Sequence, residues 1–302
     1  RRQRQMCIRD SAQPERPTLS APAEDRKARA SFDVYGDHTF SADFSDTDGE
    51  GELSVSRVGA ALQMTYPILE NAQIGAAITA ERWYYNFKDA FAFDAEDGDP
   101  WESVNDLDFS LSFSQEVNEK WSYVAGGTIQ ASYADGAQFS DSLQYGGFGG
   151  VTYKFSDSFS LGGGIAIRKP LEDDVTVLPL ITVDWKISDQ WRFAVRPTVG
   201  RRLIGLTYAP SDTWEFTLGG GYEFNDFRLD DEGPAPEGVG RYSRAPVGID
   251  VRWNMTKQVS LSAYGGVMLF QQLILDDQDG ERIQKEAVDM APFAGVSLEW
   301  RF

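Results

Sequence analysis

The last segment of the chain alternates strictly between apolar and polar residues. Residues 296–302 read VSLEWRF. Side chains of an extended strand point to opposite sides in turn, so the four apolar residues share one side and the three polar residues share the other. The alternation extends backward, and it predicts Val288 and Met290 on the apolar side. A strand of this kind needs something other than water against its apolar side.

The same period of two recurs through the chain from residue 31 onward. It is clearest in residues 121–133, 175–187, 191–199 and 214–223. No segment shows a convincing helical period, and no apolar run reaches the 18 or more residues that a transmembrane helix needs. The sequence therefore predicts an all-β protein.

The connections between these segments alternate in length, except near Gly200 and Arg201, where the connection is short and a long one is due. Short connections lie at 69–72, 118–120, 156–158, 188–190, 210–212 and 256–258. Longer, mostly acidic connections lie at 45–52, 88–103, 135–142, 172–174, 230–240 and 276–286. A sandwich with Greek-key crossings has no reason to alternate so regularly, whereas a transmembrane barrel has short turns at one end and longer loops at the other. We predict a closed antiparallel up-and-down transmembrane β-barrel of 12–14 strands over residues 31–302.

The closing strand, with its final Phe302, resembles the terminal strand of bacterial outer-membrane β-barrel proteins. The resemblance is to a porin-like, functionally uncharacterised class of these barrels. It implies insertion into the outer membrane of a Gram-negative bacterium, contact with lipid and lipopolysaccharide, and recognition of the last strand by the barrel-insertion machinery. Aromatic residues beside the short turns are predicted to form a belt at the membrane interface. They are Trp121, Trp185, Trp191, Trp214, Trp253, Trp300 and Phe302.

Charge and cysteine content narrow the functional classes. The formal net charge is −19, which argues against a nucleic-acid partner because phosphate binding needs a basic surface. The single cysteine, Cys7, excludes an internal disulfide. Residues 1–30 are predicted to be disordered, and residues 1–11 resemble translated sequencing-adapter read-through rather than a signal peptide.

The sequence offers little for catalysis or metal binding. His38 is the only histidine and the only candidate base for a serine nucleophile, and a polar residue facing solvent is the simpler interpretation. Acidic loops such as 46–50 and 94–99 carry oxygen ligands suited to loose Ca²⁺ or Mg²⁺ binding, or they are solvated charge. We predict no enzyme activity, no catalytic residue, no resident metal and no cofactor.

The polar sides of the strands are predicted to line the lumen. The predicted lumen charges are Asp106, Asp108, Asp184, Arg192, Arg196, Glu223, Asp250 and Arg252. We expect Asp106 and Asp108 to face the arginines across open water. Two hypotheses remain: a passive channel for small polar solutes or ions, and a closed structural or adhesion barrel that acts through its acidic outer loops. The oligomeric state stays open.

Overall fold

The computed structural model describes residues 27–45, 51–88, 99–198, 201–232 and 235–302, with 197–198 and 201–202 described by their backbone alone. Besides one 3-10 turn at Phe139–Ser142, the regular elements in these ranges are strands. No helix in these ranges is long and apolar enough to cross a membrane. The strands are β1 (Arg29–Asp43), β2 (Glu52–Leu69), β3 (Ala72–Lys88), β4 (Ser103–Glu116), β5 (Trp121–Ala134), β6 (Leu143–Ser156), β7 (Phe159–Lys169), β8 (Thr176–Lys186), β9 (Trp191–Thr198), β10 (Arg201–Tyr208), β11 (Trp214–Arg228), β12 (Val239–Asn254), β13 (Val259–Asp276), β14 (Arg282–Val288) and β15 (Ala291–Arg301).

The sheet closes on itself. From β1 to β14 each strand pairs antiparallel with the next, and β1 pairs with β15 from Ser31↔Arg301 to Thr39↔Phe293. The long strand β13 pairs with β14 along its second half and with β15 along its first half, so β14 and β15 share one position in the wall. The result is a closed antiparallel barrel of fourteen strands, which confirms the predicted fold class at the upper end of the predicted range.

The six predicted short turns all lie at one end of the barrel, which we call the inner end. The longer connections lie at the opposite, outer end. Along the inner half, the strands keep the expected alternation: Ile181 of β8 is exposed on the outside, and Asp184 pairs with Arg192 inside. The wall is therefore apolar outside and polar inside over this half, because side chains of a strand alternate between its two faces.

The outer half does not follow the prediction of a polar lumen. Its interior holds a packed hydrophobic cluster, which we call the outer core. Strand ends and loop residues contribute to it together. Its large members are Phe44, Leu53, Val55, Trp83, Tyr85, Phe87, Trp101, Val104, Phe227, Leu229, Tyr242, Leu273, Leu275 and Val288.

The predicted apolar side of the last strand changes at residues 289–290. Val288 was predicted to face outward with Met290, but Val288 is buried in the outer core while Met290 is exposed. The break between β14 and β15 falls at this point, and it shifts the alternation by one residue. The prediction for Val288 is wrong because periodicity alone does not reveal an interruption of the strand.

The end of β11 leaves the wall and crosses the interior. Its first part pairs with β10 up to Arg201↔Glu223. Beyond that point it keeps β12 as a neighbour and reaches β5, where Arg228 pairs with Tyr133. Residues 225–228 are buried on both faces, as expected for a strand segment with protein on either side.

Candidate functional site

Two adjoining cavities occupy the lumen between the inner end and the outer core. The larger one, which we call the vestibule, has a volume of about 800 Å³. It runs from Ser31 and Ser297, near the inner end, to Trp83 and Tyr242. The smaller one, the side cavity, has a volume of about 460 Å³ and lies against β9 to β12. Both fall in the size range of about 300–1,000 Å³ that is typical of small-molecule sites.

A buried group of charges, which we call the ion-pair layer, lies where the vestibule meets the outer core. It comprises Asp37, Arg57, Glu81, Glu223 and Arg244, contributed by β1, β2, β3, β11 and β12. Arg57 Nη2 lies 2.5 Å from Asp37 Oδ2 and its Nη1 lies 3.5 Å from both Glu81 and Glu223. Arg244 contacts Glu223 at 2.8 Å and Asp37 at 3.1 Å. The layer therefore ties one side of the barrel to the other.

Trp83 joins the ion-pair layer to the outer core. The guanidinium carbons of Arg57 and Arg244 lie 4.9 and 4.6 Å from the centre of its ring, within reach of a cation–π interaction. Its indole N–H donates to Glu81 at 3.0 Å, and the Tyr35 hydroxyl donates to the other oxygen of the same carboxylate. Each charged group is thus paired with an opposite charge and takes part in hydrogen bonds, as buried charges need to be, although Arg57 Nη1 meets its two acids only at 3.5 Å and makes no hydrogen bond.

The outer core closes the lumen on the far side of this layer. Tyr85 packs edge-on against Trp101 at 5.8 Å and Tyr242 at 5.6 Å, and Trp101 packs against Phe227 at 5.0 Å. Trp101 belongs to connection 88–103, which therefore places one of its aromatic residues inside the barrel. The other two, Phe91 and Phe93, lie outside the described residues.

The crossing end of β11 adds a polar partition beside the outer core. Arg168 of β7 contacts Asp226 at 3.0 Å, and Asn225 donates to Ser132 of β5 at 3.0 Å. Arg228 donates to the backbone oxygens of Asp141 and Glu237. These contacts hold β11 across the barrel, so the lumen has no straight path through the described part of its outer half.

The predicted lumen charges occupy several different environments. Asp106 and Asp108 line the vestibule, where Asp106 accepts a hydrogen bond of 2.6 Å from Gln130. Glu223 belongs to the ion-pair layer and lines both cavities. Asp250 lines the side cavity.

The predicted arginines do not form a separate basic wall. Arg192 makes a two-pronged pair with Asp184 on the neighbouring strand, and Arg196 lies 3.7 Å from the same carboxylate. Arg252 pairs with Glu299 at 2.5 Å. Each of these arginines has an acid within reach on its own side of the barrel. Arg252 also lines the vestibule together with Asp106 and Asp108. That the arginines face these two acids across open water stays a prediction.

Asp37, Arg57 and Trp83 are among the central residues that the sequence-based set lacks. The alternation of β1, β2 and β3 does place them on the lumen side, and Asp37 and Arg57 are direct register partners. Periodicity could therefore have found their orientation. It could not show that they meet charges from β11 and β12 across the barrel.

The predicted belt residues lie on the outside near the inner end, and all are exposed. Trp214 stacks with Trp253 at 5.9 Å, and Trp300 stacks with Phe302 at 5.3 Å. Trp191 contacts Tyr208, Trp121 contacts Tyr153 and Trp185 contacts Phe159. The aromatic rings therefore form neighbouring pairs around this end of the barrel.

His38 lies on the outer surface rather than in the lumen. Its Nδ1 is 2.8 Å from the Ser56 hydroxyl, and its ring packs edge-on against Phe40. Among the described residues, it makes no hydrogen bond to an acidic side chain, and no three His, Cys, Asp or Glu side chains are grouped so that they could hold a metal ion.

Comparisons with solved structures find other barrels at low identity. The COG4313 outer membrane channel from Pseudomonas putida F1 is 10% identical, with 90% of this chain and 95% of that chain covered and a TM-score of 0.47. The Ralstonia pickettii toluene transporter TbuX is 12% identical, with 93% and 91% covered and a TM-score of 0.41. LpxR from Salmonella typhimurium is 9% identical, with 89% of this chain and 99% of that chain covered and a TM-score of 0.35.

No curated protein matches the chain. A family model does match: the domain of unknown function DUF6268 covers residues 30–301, which is almost the whole barrel. The chain therefore belongs to the DUF6268 family.

Proposed function

We propose that this protein is an integral protein of the bacterial outer membrane. The outside of the barrel carries large exposed apolar side chains on all sides, which a water-soluble protein of this size does not tolerate as one continuous surface. These exposed apolar side chains include Val58, Leu111, Ile129, Ile165, Ile181, Leu218, Ile249 and Val296. The aromatic belt borders this surface at the inner end, where rings of this type favour the membrane interface.

Within the membrane, the barrel acts as a passive channel for small solutes. The observation that carries this proposal is the vestibule, a cavity of about 800 Å³ with charged and hydroxylic side chains in its wall. Gln63 borders it near the inner end and is solvent-exposed, so the vestibule is accessible to water from that end. A polar, water-accessible lumen within an apolar exterior is the arrangement that solute passage requires.

A second function is favoured by the opposite half of the lumen. The ion-pair layer and the outer core occupy the axis between the vestibule and the outer loops. A barrel that stayed in this conformation would not conduct along its axis. It would serve as a structural or adhesion barrel that acts through its acidic outer loops.

Single-channel conductance of the refolded protein in a planar bilayer distinguishes these two functions. We expect small, discrete steps that change in size or frequency when the ion-pair layer is altered, because this layer lies between the vestibule and the outer loops. Folding is checked by comparing the gel mobility of unheated and heated protein, because a folded barrel changes its mobility when heat unfolds it. Correctly folded protein that gives a silent bilayer, with and without changes to the layer, would favour the closed barrel.

A further inference from the structure

The barrel wall has a seam between β8 and β9. On one side, β8 pairs with β7 along its length, from Arg168↔Thr176 to Phe159↔Trp185. On the other side, within the described residues, β8 pairs with β9 only from Val183↔Val195 to Lys186↔Arg192. In this register residues 180–182 of β8 would lie opposite residues 196–198 of β9, and among the described residues they have hydrogen-bonded neighbours only on the β7 edge.

The sequence supports an open seam. In the described part of the chain, Pro179 of β8 lies beyond the last residue that pairs with β9, and Pro197 of β9 lies beyond the last residue that pairs with β8. Proline has no backbone N–H, so it cannot donate to a neighbouring strand, and in sheets it is largely confined to edges and bulges. The adjacent wall is also interrupted, since β11 leaves β10 after Glu223 and turns toward β5.

An unpaired strand edge facing lipid is costly, because lipid offers no hydrogen-bond partner to the exposed N–H and C=O groups. Irregular backbone at membrane depth is tolerated where it lines a cavity. Here the seam has cavities behind it. Leu180 of β8 lines the vestibule with Phe148, and Leu203 of β10 lines the side cavity.

The lining near the seam combines apolar and charged groups. Leu178, Leu180 and Leu203 occupy lumen-facing positions of their strands, whereas most lumen-facing residues at the same level elsewhere are polar or small. The Asp184–Arg192 pair lies below them, where β8 and β9 are joined. This surface suits a molecule with an apolar body and a polar group.

We propose that the seam between β8 and β9 is a lateral route by which small amphipathic molecules pass between the lipid phase and the vestibule. The proposal rests on the proposed membrane location and names a route and a substrate class for the channel. Passage through the wall needs no axial opening in the outer half, which the ion-pair layer and outer core occupy. The vestibule then connects the route to the inner end of the barrel.

Cysteine labelling in proteoliposomes tests this route. In a Cys7→Ser background, L180C places a thiol in the vestibule wall beside the seam, and A77C places one in the same vestibule on β3. Each variant is treated with N-phenylmaleimide, which partitions into lipid, and with a sulfonated maleimide, which stays in water. The ratio of the two rates for one thiol cancels differences in thiol reactivity between sites.

We expect the rate ratio of lipid-soluble to water-soluble reagent to be several-fold higher for L180C than for A77C. Equal ratios for the two variants would overturn the lateral route. L178C, one inward position farther along β8, repeats the measurement if L180C does not fold. The labelling contrast does not depend on conductance. If L180C and A77C differ in rate ratio but the protein conducts no ions, the lateral route is kept and the axial channel is rejected. If the protein conducts ions but the two ratios are equal, the axial channel is kept and the lateral route is rejected.

Discussion

Arg57 donates to a single oxygen of Asp37 from two nitrogens, Nε at 2.7 Å and Nη2 at 2.5 Å. The two residues are direct partners on β2 and β1. The second oxygen of Asp37 accepts a hydrogen bond from Arg244 of β12 at 3.1 Å. One buried carboxylate therefore holds two guanidinium groups that come from different parts of the wall.

Replacing this carboxylate is expected to destabilise the barrel. Asp37→Asn leaves two buried arginines with one acid fewer, and breaking a buried pair in this way costs about 3–5 kcal/mol. Urea unfolding of the protein refolded in lipid measures the loss. Asp157→Asn is the matched control, because the Lys154–Asp157 pair at an inner turn is solvent-exposed and is expected to leave the unfolding midpoint unchanged. Equal effects of the two substitutions on unfolding would mean that the ion-pair layer contributes no more to stability than an exposed ion pair.

Trp83→Ala is expected to increase ion conductance. The substitution removes the ring that lies against both arginines of the ion-pair layer and that links this layer to the outer core. Single-channel recording should show larger or more frequent openings. Trp83→Phe keeps an aromatic face for the guanidinium groups and should behave more like the native protein, and Trp253→Ala removes a ring from the outside only. A conductance that rises equally in Trp253→Ala would assign the effect to the membrane interface instead.

Ile249→Arg is expected to impair membrane insertion. Ile249 is 55% exposed on the outside of β12, four positions from the belt residue Trp253, which places it toward the membrane midplane. A charged residue there costs about 2–4 kcal/mol. Folding yield into vesicles and urea unfolding measure this cost. Gln63→Arg, on the lumen side near the inner end, is expected to have a much smaller effect, and a reversed order would contradict the assignment of the two faces.

Gly266→Ala is expected to be poorly tolerated. A Cβ atom at this position of β13 would lie 2.1 Å from the backbone oxygen of Val247, so the two strands would have to separate. Overpacking of this kind costs about 1–3 kcal/mol or more. In contrast, a Cβ at Gly163 would meet its nearest neighbour, the Leu180 oxygen, at 4.0 Å. Unfolding midpoints should therefore fall for Gly266→Ala and stay close to native for Gly163→Ala.

The connection after β5 is expected to loosen at acid pH. Hydrogen bonds from Ser103 and Asn105, together with the Arg82 guanidinium, hold the pKa of Asp135 below its ordinary value of 3.8. Since the folded-state pKa is lower than the unfolded one, these contacts stabilise fully above pH 3.8, and the stabilisation is lost as the pH falls through the folded-state pKa.

Amide hydrogen exchange of residues 135–142 measures this transition. Exchange in the native protein should be slow at neutral pH, after correction for intrinsic rates, and should accelerate below pH 3.8. Asp135→Asn should remove the acid-dependent step. Asp157→Asn, at the opposite end of the barrel, should leave it in place. A step that persists in Asp135→Asn would place its origin in another group.

Local patterns of the sequence determined most of the fold. The period of two in residues 175–187 assigned Val177 and Ile181 to the outside, and the alternation of short and long connections indicated a closed barrel with both ends at the short-turn side. These features depend only on neighbouring residues and on the geometry of an extended strand. Sequence reasoning therefore found the walls and the turns of the barrel.

Only the tertiary structure decided what fills the barrel. The alternation places Arg57 and Trp83 on the lumen side, but the same pattern would suit side chains that face water. Whether they meet Glu223 and Arg244 depends on how far β11 and β12 lie from β2 and β3 once the sheet closes. The interruption at residues 289–290 and the departure of β11 from β10 change which side chains turn inward. Such contacts join residues far apart in the chain, and no local period records them.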